Sequence, residues 1–99
     1  MKPATACENL SDIRAACDEI DREIVRLLGT RMPYVREAVR FKQSEQDIRQ
    51  PDKMPTFMRA RRDWAQAESL DPGFVEHLYQ VLVDHSFDVQ LALWQRRAK

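Results

Sequence analysis

Arg31 and Lys42 stand eleven residues apart in "GTRMPYVREAVRFKQSE", residues 29–45, a stretch with a helical pattern. Eleven residues are about three turns, so the two cations project from nearly the same side, roughly 16 Å apart along the axis. They are either charges on a solvated face, the usual case in a chain so rich in ionic residues, or two corners of an anion-binding pocket. Arg14 is a third cation, seventeen residues before Arg31. Ser86 and Gln90, four apart and therefore neighbours on one helix face, sit amid Tyr79, Val83 and Phe87. Polar groups on such a face need hydrogen-bond partners, and a bound ligand can supply them.

Other chemistries find little support. Cys7 and Cys17 have no metal-type spacing and read as free thiols. His77 and His85 are eight apart with no ligand cluster nearby; His85 falls on an apolar helix face and reads as packed there. No metal site is expected. The 99 residues read as one domain, 1–99. Sixteen basic and sixteen acidic residues balance, which argues against a general nucleic-acid binder. No apolar run approaches the ~20 residues of a membrane helix, and "MKPATACENL" at the start lacks the apolar stretch of a signal peptide. A cytoplasmic protein without a membrane partner is the expectation.

Three helices must position the candidate residues, so the fold class is all-α. The first begins near "NLSDIR", where Asn9 or Ser11 can cap and Asp12 suits the positive end of the dipole. Ile13, Cys17, Ile20, Ile24, Leu27, Leu28, Val35, Ala38 and Val39 keep a helical period to about Phe41, a length of some 45 Å. Pro33 presses on the carbonyl of Gly29, and a bent but continuous helix is expected there. "KQSEQDIRQPDKMP" is polar and without period, and reads as a mobile loop. A second helix is expected over about Lys53–Glu68, with Phe57, Met58, Arg61, Trp64 and Ala65 on one face. Asp71 then caps, and Pro72 opens a third helix to about Arg97. That helix carries two apolar stripes: Phe74, Leu78, Val81, Leu82, His85, Val89 and Leu93, and Tyr79, Val83, Phe87 and Trp94. It therefore needs partners on both sides.

A first helix of ~45 Å exceeds the ~26 Å diameter of a compact globule of this size. Two shorter helices cannot cover its stripe, and a second, antiparallel copy in a two-fold bundle is the simplest remedy. Arg14 and Arg31, about 25 Å apart along the helix, cannot grip one small ligand from one chain. A homodimer can bring Arg14 of one copy beside Arg31 and Lys42 of the other.

The chain resembles the small all-helical chorismate mutases, and more closely the bacterial isochorismate pyruvate lyases of the same fold. The resemblance covers nearly the whole length. It rests on "LSDIRAACDEIDREIVRLLGTRM", on "VRFK" ending at Lys42, on "LDPGFVEHLYQVLVDHSFDVQ" and on the spacing between them. It implies an intertwined homodimer with two equivalent active sites. Arg14 is implied as the arginine supplied across the dimer, Arg31 as the second arginine, and Lys42 and Gln90 as the catalytic lysine and glutamine. Ser86 falls at a serine the mutases use near a substrate carboxylate. In "QPDKM", Gln50 stands for the mutases' acid, Lys53 for their arginine and Met54 for the glutamate that holds chorismate's ring hydroxyl. An apolar Met54 fits isochorismate, whose hydroxyl lies elsewhere on the ring, and "FKQSEQDI" resembles the lyase's active-site loop. Ser86 is mutase-like, and Lys53 and Pro33 depart from the pattern.

The implied reaction turns isochorismate into salicylate and pyruvate by a pericyclic elimination, without cofactor. Arg31 and the second copy's Arg14 suit the two carboxylates, because a guanidinium binds both oxygens. Lys42 and Gln90 suit the ether oxygen, which gains negative charge as its bond breaks. The rest is holding a folded conformer, with segment 43–50 able to close over it. The nearest rival is a chorismate mutase forming prephenate. A more distant one is a non-catalytic helical dimer using "RARRD" and "QRRAK" on an acidic partner or nucleic acid; solvated basic faces are the commoner case.

Overall fold

The computed structural model describes residues 2–97, which contain helices and no strand. Two compact units divide the chain, one reaching Tyr34 and the other beginning at Val35.

The first unit holds a 3-10 turn, Ala4–Ala6, and most of α1, Leu10–Glu37. Asn9 caps α1: the Asp12 N–H donates to Asn9 Oδ1 (2.9 Å), and Asp12 Oδ2 accepts from the Glu8 N–H (3.0 Å). Two donors at the helix start are thus satisfied reciprocally. The helix continues through Pro33 as expected. Its apolar stripe is largely bare within this unit, with Ile20 46% and Leu27 52% exposed.

α1 stops at Glu37 rather than near Phe41, and Ala38–Phe41 tighten into a 3-10 turn, a common way for a helix to end. The polar stretch after Lys42 is not the featureless loop expected. It folds into α2, Glu45–Arg49. Ser44 caps α2, its Oγ accepting from the Asp47 N–H (3.1 Å), while Asp47 Oδ2 accepts from the Gln43 N–H (2.9 Å). Ile48, 2% exposed, anchors this short helix in the core.

α3, Met54–Ala67, and α4, Pro72–Arg97, lie within a residue of the expected spans and pack as a hairpin. α3 ends in a Schellman motif: the Leu70 N–H donates to Ala65 O (2.8 Å) and the Ser69 N–H to Gln66 O (3.1 Å), with Ser69 at φ 60°. Asp71 Oδ1 then accepts from the Gly73 N–H (3.1 Å) and starts α4. Met58, Ala65, Val75 and Val83 fill the seam, joined by Val35, Val39 and Ile48. The other α4 stripe stays open: Phe74, Leu78 and Val81 are exposed. His85 is exposed with them, not packed as its apolar neighbours suggested.

Candidate active site

The second unit carries Lys42, Lys53, Met54, Ser86 and Gln90. α4 positions the last two. Tyr79, Val83, Ser86, Gln90 and Arg97 recur at intervals of three, four and seven residues, hence on one face. Ser86 is 6% and Gln90 8% exposed. The Ser86 hydroxyl donates to the Leu82 carbonyl of its own helix (2.9 Å).

Gln90 reaches across the chain. Its Nε2 donates to the carbonyl of Val35 at 2.8 Å. Val35 is among the last four residues of α1, whose carbonyls have no partner in the helix ladder. A carbonyl only accepts, so the amide nitrogen has to face Val35. That bond uses one of the two amide N–H groups. Seven residues on, Arg97 Nη1 donates to the Val39 carbonyl (2.5 Å), which also receives the Lys42 N–H (3.1 Å).

Lys42 ends the 3-10 turn in an extended conformation, half-buried. Its ammonium donates to the Asp47 carbonyl of α2 at 3.0 Å. An ammonium has three donors, and this contact uses one while fixing the side chain. The short helix missed in the sequence is therefore what holds Lys42. Its signal was present: Ser44 and Asp47 form an S-x-x-D start. Arg97 had no comparable signal, because its partner is a backbone carbonyl 58 residues away in sequence.

Met54, half-buried at the first position of α3, borders a cavity of about 550 Å³ with Met58, Arg59, Arg62, Gln80 and Phe87. Lys53 precedes α3 and is exposed. In the first unit, Arg14 is exposed and Arg31 half-buried on α1. Seventeen residues of unbroken helix separate them, about 25 Å. Arg61, in the basic "RARRD" run, is not on a solvated face: its guanidinium lies over the rings of Phe57 (3.5 Å), Trp64 (4.7 Å) and Tyr79 (5.2 Å). Arg62 pairs with Glu76 at 3.5 Å. Both contacts draw that run into the α3–α4 hairpin. Of "QRRAK", Ala98 and Lys99 lie outside the described residues. Among the described residues no group of three His, Cys, Asp or Glu could hold a metal ion, and no helix is long and apolar enough to cross a membrane.

Comparison with known proteins places the chain in a family. A relative from Pseudomonas aeruginosa, isochorismate pyruvate lyase, is 40% identical over 96 residues, covering 97% of this chain and 95% of its own. Residues 13–91 match the chorismate mutase type II family. That span runs from the residue before Arg14 to the residue after Gln90, and the chain belongs to this family.

Proposed function

We propose that the protein is an isochorismate pyruvate lyase, converting isochorismate to salicylate and pyruvate in a site shared by two chains of a homodimer. The observation that carries this reading is the likeness to the Pseudomonas lyase along nearly the whole chain. The geometry supports it. Lys42 is held by α2 with two donors to spare, and Gln90 keeps one amide N–H for a ligand after satisfying Val35. These donors address the ether oxygen as its bond to the ring breaks. Being fixed beforehand, they stabilise the developing charge without reorganising. Arg31 and the partner chain's Arg14 take the two carboxylates, with Lys53 near the entrance to α3. Met54 offers an apolar wall where chorismate's hydroxyl would need a polar partner. The transferred hydrogen moves within the substrate, so the side chains orient and polarise rather than exchange protons. α2 and its flanks, 43–50, cover the site when substrate is bound.

Two observations support the homodimer: the bare stripe of α1, and Arg14 and Arg31 being too far apart on one helix to serve one small ligand. A mutase reading, chorismate to prephenate, draws on Ser86, buried on the same α4 face as Gln90. Incubation with each substrate decides. Salicylate fluorescence appearing from isochorismate, without added metal or nucleotide, supports the lyase. Chorismate turned over far faster than isochorismate supports the mutase.

A further inference from the structure

Lys42 lies at the end of a four-residue 3-10 turn. Such turns have poor hydrogen-bond geometry and little stability of their own. An ammonium that must meet one oxygen atom needs a firmer base. α2 holds its tip; something must hold its backbone. The Val39 carbonyl is where that occurs. It accepts the Lys42 N–H, the bond that closes the turn, and it accepts Arg97 Nη1 from the last turn of α4. A carbonyl has two lone pairs, and here both are engaged. Val39 itself is 3% exposed, so its carbonyl has little access to water as a substitute partner.

Resting on the proposed lyase reading, we infer that Arg97 is a positioning residue: by gripping the Val39 carbonyl it fixes the turn that aims Lys42 at the substrate. Gln90 and Arg97 stand two helical turns apart on one face of α4. They grip Val35 and Val39, four residues apart across the end of α1. The pair forms a two-point clamp, with Gln90 also facing substrate and Arg97 acting only through the backbone. Arg97 suits its place for a second reason. A cation in the last turn of α4 also suits the negative end of that helix's dipole.

The test uses the full chain with Arg97→Met and Arg97→Lys. Lys keeps one charged donor, enough for a single carbonyl bond where no bidentate fork is needed. Hydrogen exchange at the Lys42 amide reads the clamp directly, whatever the substrate. It should quicken roughly tenfold in Arg97→Met and stay near the wild-type rate in Arg97→Lys. With isochorismate, Arg97→Met should lower kcat by roughly ten- to a hundredfold, the cost of a misplaced group, with KM changed far less. Arg97→Lys should restore activity to within about threefold of wild type. Placed in a Lys42→Ala chain, Arg97→Met should cost almost nothing further, because its effect passes through that ammonium. An unchanged Lys42 exchange rate in Arg97→Met overturns the clamp. Faster exchange with unaltered kcat, or an equal loss in the Lys42→Ala background, overturns its role in aiming Lys42. A wild-type chain that makes no salicylate overturns the lyase reading instead, while the exchange rates still decide the clamp. If Arg97→Met does not fold, Arg97→Gln, a neutral donor, takes its place in the same measurements.

Discussion

At the residue scale, Lys42 and Gln90 hold different carbonyls, of Asp47 and Val35, and under the proposed function their variants should separate. Lys42 is half-buried and its ammonium meets a backbone carbonyl. Lys42→Ala should cost less than about 1 kcal/mol of stability, since a half-exposed contact is easily replaced by water. It should lower kcat roughly 10²–10³-fold, the usual loss for a donor aimed at a developing charge; steady-state salicylate kinetics check this. Gln90→Leu has a different signature. It leaves the buried Val35 carbonyl without its 2.8 Å partner and should destabilise the fold by about 1–3 kcal/mol, read by urea denaturation. The sequence singles out both residues, Lys42 by its spacing from Arg31 and Gln90 by its place beside Ser86 on an otherwise apolar face. The first spacing assumes one helix through Lys42, whereas α1 ends at Glu37 and Lys42 follows a 3-10 turn, so the two cations do not share one helix face. Neither partner was legible. The Val35 and Asp47 carbonyls belong to the backbone, and every residue has one, so no side-chain pattern marks them.

At the scale of elements, α3 and α4 could be read nearly to the residue because their ends carry strong local chemistry. Asp71 followed by Pro72 starts α4 in both sequence and structure. α2 was missed because five residues offer no helical period, and its one core side chain, Ile48, sits in a polar run. Its stability comes from Ser44, Asp47 and that single burial. The apolar spacing overstates α1 by four residues, since Ala38 and Val39 keep it through the change to a 3-10 turn. The end of α3 offers a test of this local bookkeeping. Ser69 sits at φ 60°, where a Cβ is strained and glycine is the usual residue. Ser69→Gly should raise stability by about 0.5–1 kcal/mol, seen as a higher thermal midpoint with unchanged activity. An unchanged or lower midpoint would show that the turn carries no such strain.

The whole molecule is where one chain is least complete. The stripe of α1 is bare in its own unit, and Phe74, Leu78 and Val81 leave a second apolar row on α4 open. Length and periodicity give the first helix a stripe longer than one chain can cover and the third helix a need for partners on both sides. What they could not give was the partner's identity, because an apolar stripe records burial and not what buries it. A homodimer should appear in sedimentation equilibrium at micromolar concentration; a stable folded monomer there would contradict it. The shared site is tested most directly by mixing two inactive variants. Arg14→Ala and Lys42→Ala homodimers each lack one cation in every site. Unfolded together and refolded in equal amounts, they pair at random, and about half the dimers are mixed. In a mixed dimer one site collects both lesions. The other takes Arg14 from one chain and Lys42 from the other and is intact. About a quarter of all sites should then make salicylate at the wild-type rate. A mixture no more active than the average of its parents, with mixed dimers confirmed by mass spectrometry, would contradict a site built from two chains.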